Sequence, residues 1–178
     1  VVERPAQVVK ELIENSIDAG ATQVSIDIER GGFDLIKIID NGSGIHPDDL
    51  SLCLDRHATS KLKSQSDLSE IYTLGFRGEA LASIGMVSKI SVASRIADGE
   101  GLQITMDNGF KNSVTPHGMA HGTAISVEKL FAKQPARLAF QRRPATETSR
   151  IVDVVISHAI SNKEVGFKLK NDEKIRMG

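Results

Sequence analysis

The chain has 178 residues, of which 40% are hydrophobic, so it is long enough for one domain with a substantial buried core. Its 22 Lys and Arg residues nearly balance its 23 Asp and Glu residues, so no global charge would hold a polyanion or a membrane surface. The single cysteine, Cys53, excludes an internal disulfide framework, and no apolar run approaches the ~20 residues of a membrane span. Cys53 is predicted to be a core thiol.

The first predicted element is an amphipathic helix that begins near Pro5 and closes before Gly20. Apolar and small side chains at helical spacing form one stripe, made of Val8, Val9, Leu12, Ile13, Ser16 and Ile17. Polar side chains form the opposite face, made of Glu11, Glu14, Asn15 and Asp18. Residues three and four apart on such a face are neighbours.

A hairpin of two strands follows this helix. Residues 24–28 alternate apolar and polar side chains, Gly31 and Gly32 form the turn, and residues 35–39 are a buried run. The second strand therefore ends directly before Asp40, which opens the segment Asp40-Asn41-Gly42-Ser43-Gly44.

Short helices are predicted from about residue 48 and over 67–72, and a longer one from Gly78. Strands are predicted over 88–94, 102–106 and 123–127, with a last hairpin around Asn171 and Asp172. Thr146 is expected to cap a final helix. The apolar stripe of that helix is Ile151, Val155, Ile156, Ala159 and Ile160. Helices interleaved with hairpins predict an α+β fold, a two-layer sandwich of a mixed, mostly antiparallel sheet with helices on one face.

The first helix pairs a carboxylate with an amide at i and i+4, namely Glu11 and Asn15. The usual glycine-rich motifs of P-loop and dinucleotide-binding folds are absent from the sequence. Transfer of a phosphoryl group to water needs a metal that neutralises phosphate charge and a base that orients the water. Asn15 suits Mg²⁺, which takes the rest of its ligands from waters and phosphates, and Glu11 suits the base. A solvated polar helix face is the alternative interpretation of this pair.

Asp40, Gly42 and Gly44 form a second motif, at the end of a buried strand. An ionised carboxylate accepts from the exocyclic amine of adenine, whereas guanine would oppose its own O6 acceptor to it. The glycines allow close approach of backbone and ligand. The alternative is an ordinary Asn-Gly turn with a capping aspartate.

A third motif is the glycine-marked loop made of Gly75, Phe76, Arg77, Gly78, Glu79, Ala80 and Leu81. A helix that begins in such a loop offers free N–H groups to phosphates, although a simple connecting loop fits equally well. Thr59, Ser60 and Lys61 provide two hydroxyls and a cation for phosphate contacts on a polar connector, where a plain surface loop is the alternative. Thr123 adds a hydroxyl behind the pocket, a weak indication by itself.

In their order and spacing, these motifs resemble the ATPase superfamily that joins gyrase, a heat-shock chaperone, histidine kinases and MutL. The match to MutL-type mismatch-repair proteins is close in VVERPAQVVKELIENSIDAGA, DNGSGI, RHATSK and LGFRGEALASI, and weaker in HGTAISVEKLF and PARLAF. It covers essentially the whole chain, and the fold that it implies is of the Bergerat type. Residues 1–178 are expected to be one ATPase domain.

The resemblance implies that Glu11 is the general base, Asn15 the Mg²⁺ ligand and Asp40 the reader of adenine. It also places Gly42 and Gly44 along the base pocket and Thr123 beneath the adenine. The residues expected to meet the ribose and phosphates are Thr59, Ser60, Lys61, Gly78, Glu79, Ala80, Leu81 and Ala82. ATP and Mg²⁺ are the implied cofactors.

At the level of the whole protein, the resemblance implies an ATP-dependent homodimeric switch that binds DNA weakly. The implied partners are a MutS-like mismatch-recognition protein and a strand-incising endonuclease, in the bacterial cytoplasm near the nucleoid or in a eukaryotic nucleus. An upstream dimerisation segment and a following domain that supplies a lysine to the γ-phosphate are expected outside this chain, which alone should be a weak ATPase. Two other classes remain open, a kinase-like phosphotransfer module and a nucleotide- or DNA-binding scaffold.

Overall fold

The computed structural model describes residues 1–56, 79–172 and 174–178, and in this part of the chain nine strands form one sheet. The strands are β1 (Gln23–Glu29), β2 (Leu35–Asp40), β3 (Lys89–Arg95), β4 (Leu102–Asp107), β5 (Phe110–Lys111), β6 (Thr115–Pro116), β7 (Gly122–Glu128), β8 (Gly166–Asn171) and β9 (Lys174–Met177). Their order is β5-β4-β3-β7-β2-β1-β8-β9, and β6 also pairs with β4. β1 and β8 are parallel and the other pairs are antiparallel, which confirms the predicted mixed sheet.

The helices of the described residues are α1 (Pro5–Asp18), α2 (Pro47–Leu50), α3 (Ala80–Met86), α4 (Pro135–Ala139) and α5 (Pro144–Ser161). Side chains alternate across a strand, so one face of the sheet is apolar and packs against α1, α3 and α5. Val24, Ile26 and Ile28 of β1 are at most 2% exposed on this face. The other face of the sheet carries no helix in the described part of the chain.

The core lies between α1, α5 and the sheet. Leu12 and Ile13 of α1 and Ile151 of α5 are essentially fully buried there, as the helical stripes predict. Cys53 is also buried, and burial raises the pKa of its thiol to about 12, so it remains protonated at neutral pH. The prediction of a core thiol is confirmed.

The start and the outer face of α5 differ from the prediction. The helix begins at Pro144, and the Thr146 N–H donates to the Arg143 carbonyl within the first turn, so Thr146 is not the cap. Proline fixes the first helical residue instead. Ile156 and Ile160 are 41% and 67% exposed, because they lie about 140° and 180° around the helix from Ile151 at ~100° per residue.

Three short elements, β5, β6 and α4, were not predicted, and α2 is only one turn long. Two-residue strands and a five-residue helix are too short to show a periodic pattern. α3 begins at Ala80 rather than at Gly78, and the predicted helix over 67–72 lies outside the described residues. None of the helices that the structure describes has the length and apolar character needed to cross a bilayer.

Candidate functional site

α1 presents Glu11 and Asn15 on adjacent turns, both half-buried. The two side chains open into neighbouring cavities. Glu11 lines a cavity of about 320 Å³, which Ala80 and Ser83 of α3 also line. Asn15 lines a smaller cavity of about 40 Å³ beside the end of β2. The helical spacing therefore does bring both polar groups toward one side of the molecule.

Glu14, on the same predicted polar face, turns away from these cavities. Its Oε1 lies 3.8 Å from Lys10 Nζ and 3.7 Å from His158 Nε2 of α5. The side chains of Glu14 and His158 are only 20% and 16% exposed. Glu14 thus belongs to the contact between α1 and α5.

Asp40 is a carboxylate held at the end of β2 with only 8% exposure. The Ser16 hydroxyl donates to its Oδ2 over 2.7 Å, and the Gly42 N–H donates to its Oδ1 over 2.9 Å. Burial raises the pKa of Asp40, and the hydrogen bonds from Ser16, Gly42 and Thr123 oppose that shift. The charge of Asp40 is therefore costly to the fold by itself, as is common for residues that serve a ligand.

The smaller cavity collects side chains from four separate parts of the chain. Among the described residues, those that line it include Asn15 and Ser16 from α1, Asp40 and Gly44 from the end of β2 and the loop after it, Leu81 from α3 and Thr123 from β7. Five of the residues predicted from the sequence therefore meet here: Asn15, Asp40, Gly44, Leu81 and Thr123. At about 40 Å³ the cavity is too small for a purine ring unless its walls move apart.

Two glycines allow the loop after β2 to lie against the sheet. Gly44 has φ +79°, and a Cβ there would lie 2.5 Å from the Arg95 carbonyl oxygen. Gly122 has φ +126°, and a Cβ there would overlap the Asp40 carbonyl oxygen. Gly44 was predicted as a pocket residue, whereas the pair Gly122-Thr123 was named only for the hydroxyl of Thr123, since a single glycine at the start of a strand gives no sign of which backbone lies against it.

Ser94 is a further residue of the site that sequence reasoning missed. It is 2% exposed on β3, and its Oγ accepts from the Ile45 N–H over 2.7 Å. The same oxygen lies 2.9 Å from Thr123 Oγ1 and 3.1 Å from the Gly122 carbonyl oxygen. Ser94 thereby joins the loop after β2, which contains Gly42 and Gly44, to β7. A serine in an alternating strand gives no indication of this role before the strand pairing is known.

We expect Ser94→Ala to lower the free energy of unfolding by about 1–3 kcal/mol, because it leaves the partly buried Ile45 N–H and the buried Thr123 hydroxyl without this partner. Urea titration measures the change. Ser126→Ala on the open face of β7 is the matched control, since Ser126 is only partly buried, and it should change stability by less than about 0.5 kcal/mol. Equal effects of the two substitutions would contradict the assignment of Ser94.

The remaining predicted residues fall into two groups. Ala80 lines the Glu11 cavity beside the exposed Glu79, whereas Ala82 is 1% exposed and lines neither cavity. The others lie outside the described residues: Thr59, Ser60, Lys61, Gly75, Phe76, Arg77 and Gly78. Within the described ranges no three His, Cys, Asp or Glu side chains cluster as a metal site.

Comparison with known proteins gives a consistent family. The family model described as histidine kinase-, DNA gyrase B- and HSP90-like ATPase matches residues 3–134. The chain is 51% identical over 173 residues to DNA mismatch repair protein MutL of Pelobacter propionicus, which covers 97% of this chain and 28% of that protein. It is 47% identical over 174 residues to MutL of Exiguobacterium sp., covering 98% of this chain and 29% of that protein. It therefore spans less than a third of these relatives.

Solved structures give the same relationship. The Aquifex aeolicus MutL ATPase domain complexed with ADP superposes with a TM-score of 0.78 at 32% identity, over 99% of this chain and 63% of that chain. The N-terminal domain of a DNA repair protein superposes with a TM-score of 0.80 at 33% identity, over 96% and 50% of the two chains. The structural similarity thus covers nearly the whole length of this chain.

Proposed function

The chain belongs to the family of histidine kinase-, DNA gyrase B- and HSP90-like ATPases, and we propose that it binds ATP as the ATPase domain of a MutL-like mismatch-repair protein. Within the family it is similar to MutL ATPase domains over 99% of its length. One of those relatives is a complex with ADP, which supports a nucleotide site in this chain.

The observation that carries the proposal is the buried Asp40 carboxylate beside Thr123. Ser16 and Gly42 hold both of its oxygens in place without neutralising its charge, so it is preorganised to accept a hydrogen bond from an exocyclic amine. Guanine would place its O6 acceptor against this carboxylate. Because a buried acceptor without a donor is costly, we propose that the site selects adenine. Outward movement of Leu81, which lines the cavity, would admit the ring.

We assign Mg²⁺ binding to the Asn15 side-chain oxygen and base catalysis to Glu11. A single amide oxygen fits Mg²⁺, which fills its remaining coordination positions with water and phosphate oxygens. It does not fit a metal that needs several protein ligands. When bound, Mg²⁺ supplies charge neutralisation of the phosphates. Glu11 lies one helical turn before Asn15 and lines the adjoining cavity, where it would accept a proton from the attacking water.

At the level of the whole protein, the proposal is an ATP-dependent homodimeric switch. Nucleotide binding would order the site, two copies would associate, and hydrolysis would reset them. The partners proposed by relationship to MutL are a mismatch-recognition protein, a strand-incising endonuclease and DNA. The bacterial relatives favour the cytoplasm as the place where these meet.

Calorimetric titration of the full-length protein with ATP and with GTP, each with Mg²⁺ and with a chelator, tests the proposal. We expect ATP to bind at least about tenfold more tightly than GTP, since one opposed buried acceptor costs ~1–3 kcal/mol. Removal of Mg²⁺ should weaken ATP binding. Equal affinities for the two nucleotides would contradict the role of Asp40, and no effect of chelation would contradict that of Asn15.

Product analysis separates the proposal from the kinase-like alternative. Incubation with γ-labelled ATP should release inorganic phosphate and leave the protein unlabelled. Acid-labile label retained on a histidine would instead indicate phosphotransfer.

A further inference from the structure

The face of the sheet opposite the helices holds a trough of about 680 Å³. Its floor consists of outward-facing residues on six strands, β8, β1, β2, β7, β3 and β4. The segment 117–121, which leads into β7, forms a wall at one end. This trough plays no part in the ATP site proposed above.

The exposed surface that lines the trough is largely apolar by area, although serine and glutamine side chains also line it. Ile39 is 41% exposed, and it faces Ala124 in the pairing of β2 with β7, while Ala124 faces Ala93 in the pairing of β7 with β3. Met119 adds a flexible apolar side chain from the wall. Ser25 lies opposite Ile39 in the pairing of β1 with β2, so Ile39 has a small neighbour on each side, which leaves room for another chain to approach the strands.

The wall is fixed in place by hydrogen bonds. Arg95 Nη1 donates to the Met119 carbonyl over 3.1 Å, and the His117 N–H donates to the Gly101 carbonyl over 2.8 Å. The His121 ring nitrogen Nε2 lies 3.3 Å from the Ser43 carbonyl oxygen. A partner would therefore meet a trough that already exists, which lowers the ordering cost of binding.

The charges that line the trough are of one sign. Lys37 and Lys168 both face it, and neither forms an ion pair with a described residue. The carboxylate among the described lining residues, Asp40, points to the other side of the sheet, where Ser16 and Gly42 bind it. Asp27 lies opposite Lys37 in the strand register but does not line the trough. The trough thus combines an apolar floor with two available ammonium groups.

We propose that this trough is a docking surface for an acidic, partly apolar segment of another protein. Apolar side chains of that segment would lie over Ile39, Ala93 and Ala124, and its carboxylates would pair with Lys37 and Lys168. Charge complementarity favours an acidic segment, and it disfavours a second copy of the same cationic face. Apolar burial would supply contact area, and the two lysines would select a partner of opposite charge.

A nucleic acid fits this surface less well. Among the described residues that line the trough, the rings of His117 and His121 stand at the wall, and no Phe, Tyr or Trp side chain offers a stacking platform on the floor. Two lysines also supply few phosphate contacts, whereas DNA-binding surfaces are strongly positive and polar.

The trough and the nucleotide pocket use opposite faces of the same strands. Ile39 precedes Asp40, Ala93 precedes Ser94, and Ala124 follows Thr123. Lys37 and Lys168 do not line the nucleotide pocket, so substitution of these lysines tests docking separately from ATP binding.

The test is selection of a random 12-residue peptide library displayed on phage against the immobilised full-length protein. Fluorescence polarisation would then measure the affinity of the selected peptides for wild type, for Lys37→Glu/Lys168→Glu and for the control Lys129→Glu/Lys163→Glu. The control reverses two exposed lysines that do not line the trough. We expect Asp- or Glu-rich peptides with apolar residues, at least about tenfold weaker binding to the first variant and unchanged binding to the control.

Three results would overturn the proposal: selected peptides without acidic enrichment, equal losses in both variants, or no loss in either. A single-stranded 30-nucleotide DNA that loses more affinity than the peptides in Lys37→Glu/Lys168→Glu would assign the surface to nucleic acid instead. ATP affinity, measured in parallel, should be the same in all three proteins. A failure of the ATP site would thus be seen independently of a failure of docking.

Discussion

Replacing Glu11 with glutamine is expected to slow ATP hydrolysis by the full-length protein by about 10²–10⁴-fold while ATP affinity stays within about threefold. Glutamine keeps the size and the hydrogen-bonding reach of the side chain but cannot accept a proton from water. Glu11 lines the cavity between α1 and α3 and does not line the cavity that contains Asp40. Binding of the adenine ring should therefore be preserved. Single-turnover phosphate release measures the rate, and calorimetry the affinity.

Glu14→Gln is the matched control for this substitution. It makes the same chemical change three residues further along α1, on a side chain directed toward Lys10 and His158. Its hydrolysis rate should remain within about threefold of wild type, with at most a small loss of stability. A rate for Glu11→Gln equal to that of Glu14→Gln would show that the base is another group.

The larger elements of the fold were predictable because burial leaves a periodic pattern in the sequence. Val24, Ile26 and Ile28 alternate as one face of a strand, and Leu12 and Ile13 fall in a helical stripe. The pattern fails at Ile156 and Ile160, which are apolar and yet exposed. Single apolar residues are common on protein surfaces, so only the angle from Ile151 decides their position.

The site was predictable where the residue type itself carries the chemistry. Asn15 and Asp40 were named for their residue types and Thr123 chiefly from the family resemblance, and the structure brings all three to one cavity. The resemblance to MutL-type proteins is confirmed by the comparisons, while the individual roles remain predictions. Ser94 could not be predicted, because its importance comes from the pairing of β3 with β7 that places it opposite Thr123.

Ser16 is a residue whose burial could be predicted from the sequence but whose role in the site could not. It falls within the apolar stripe of α1 and was interpreted as part of the core, and it is indeed buried. Its hydroxyl nevertheless donates to Oδ2 of Asp40, which lies 24 residues further along the chain. A pattern of burial cannot distinguish a serine that fills space from one that positions a carboxylate.

Asp40→Asn is expected to weaken ATP binding by about 10- to 100-fold, since a hydrogen bond to a charged group contributes ~1.5–3 kcal/mol. The Gly42 N–H requires an acceptor, so the asparagine oxygen should take the position of Oδ1. The amide nitrogen then replaces Oδ2 and presents a donor where adenine also presents one. GTP affinity should change little, so the preference for ATP should be largely lost. Unchanged ATP affinity would exclude Asp40 as the reader of adenine.

The same substitution is expected to raise the free energy of unfolding at neutral pH. Burial raises the pKa of Asp40 above its ordinary value of 3.8, so the folded state binds the proton more tightly than the unfolded state. Stability of the wild type therefore falls as pH rises from 3.8 through the folded-state pKa, and above that range the cost is fully present. Asparagine does not titrate and can still satisfy Ser16 and Gly42.

The gain in stability from Asp40→Asn should consequently be largest near neutral pH, and it should become smaller as the pH is lowered toward 3.8. Urea titrations of both proteins across this range measure it. A variant that is less stable than wild type at neutral pH would mean that the charge of Asp40 supports the fold. A variant that is more stable and binds ATP poorly would mean that the carboxylate is retained for the nucleotide at a cost in stability, as expected of a functional group.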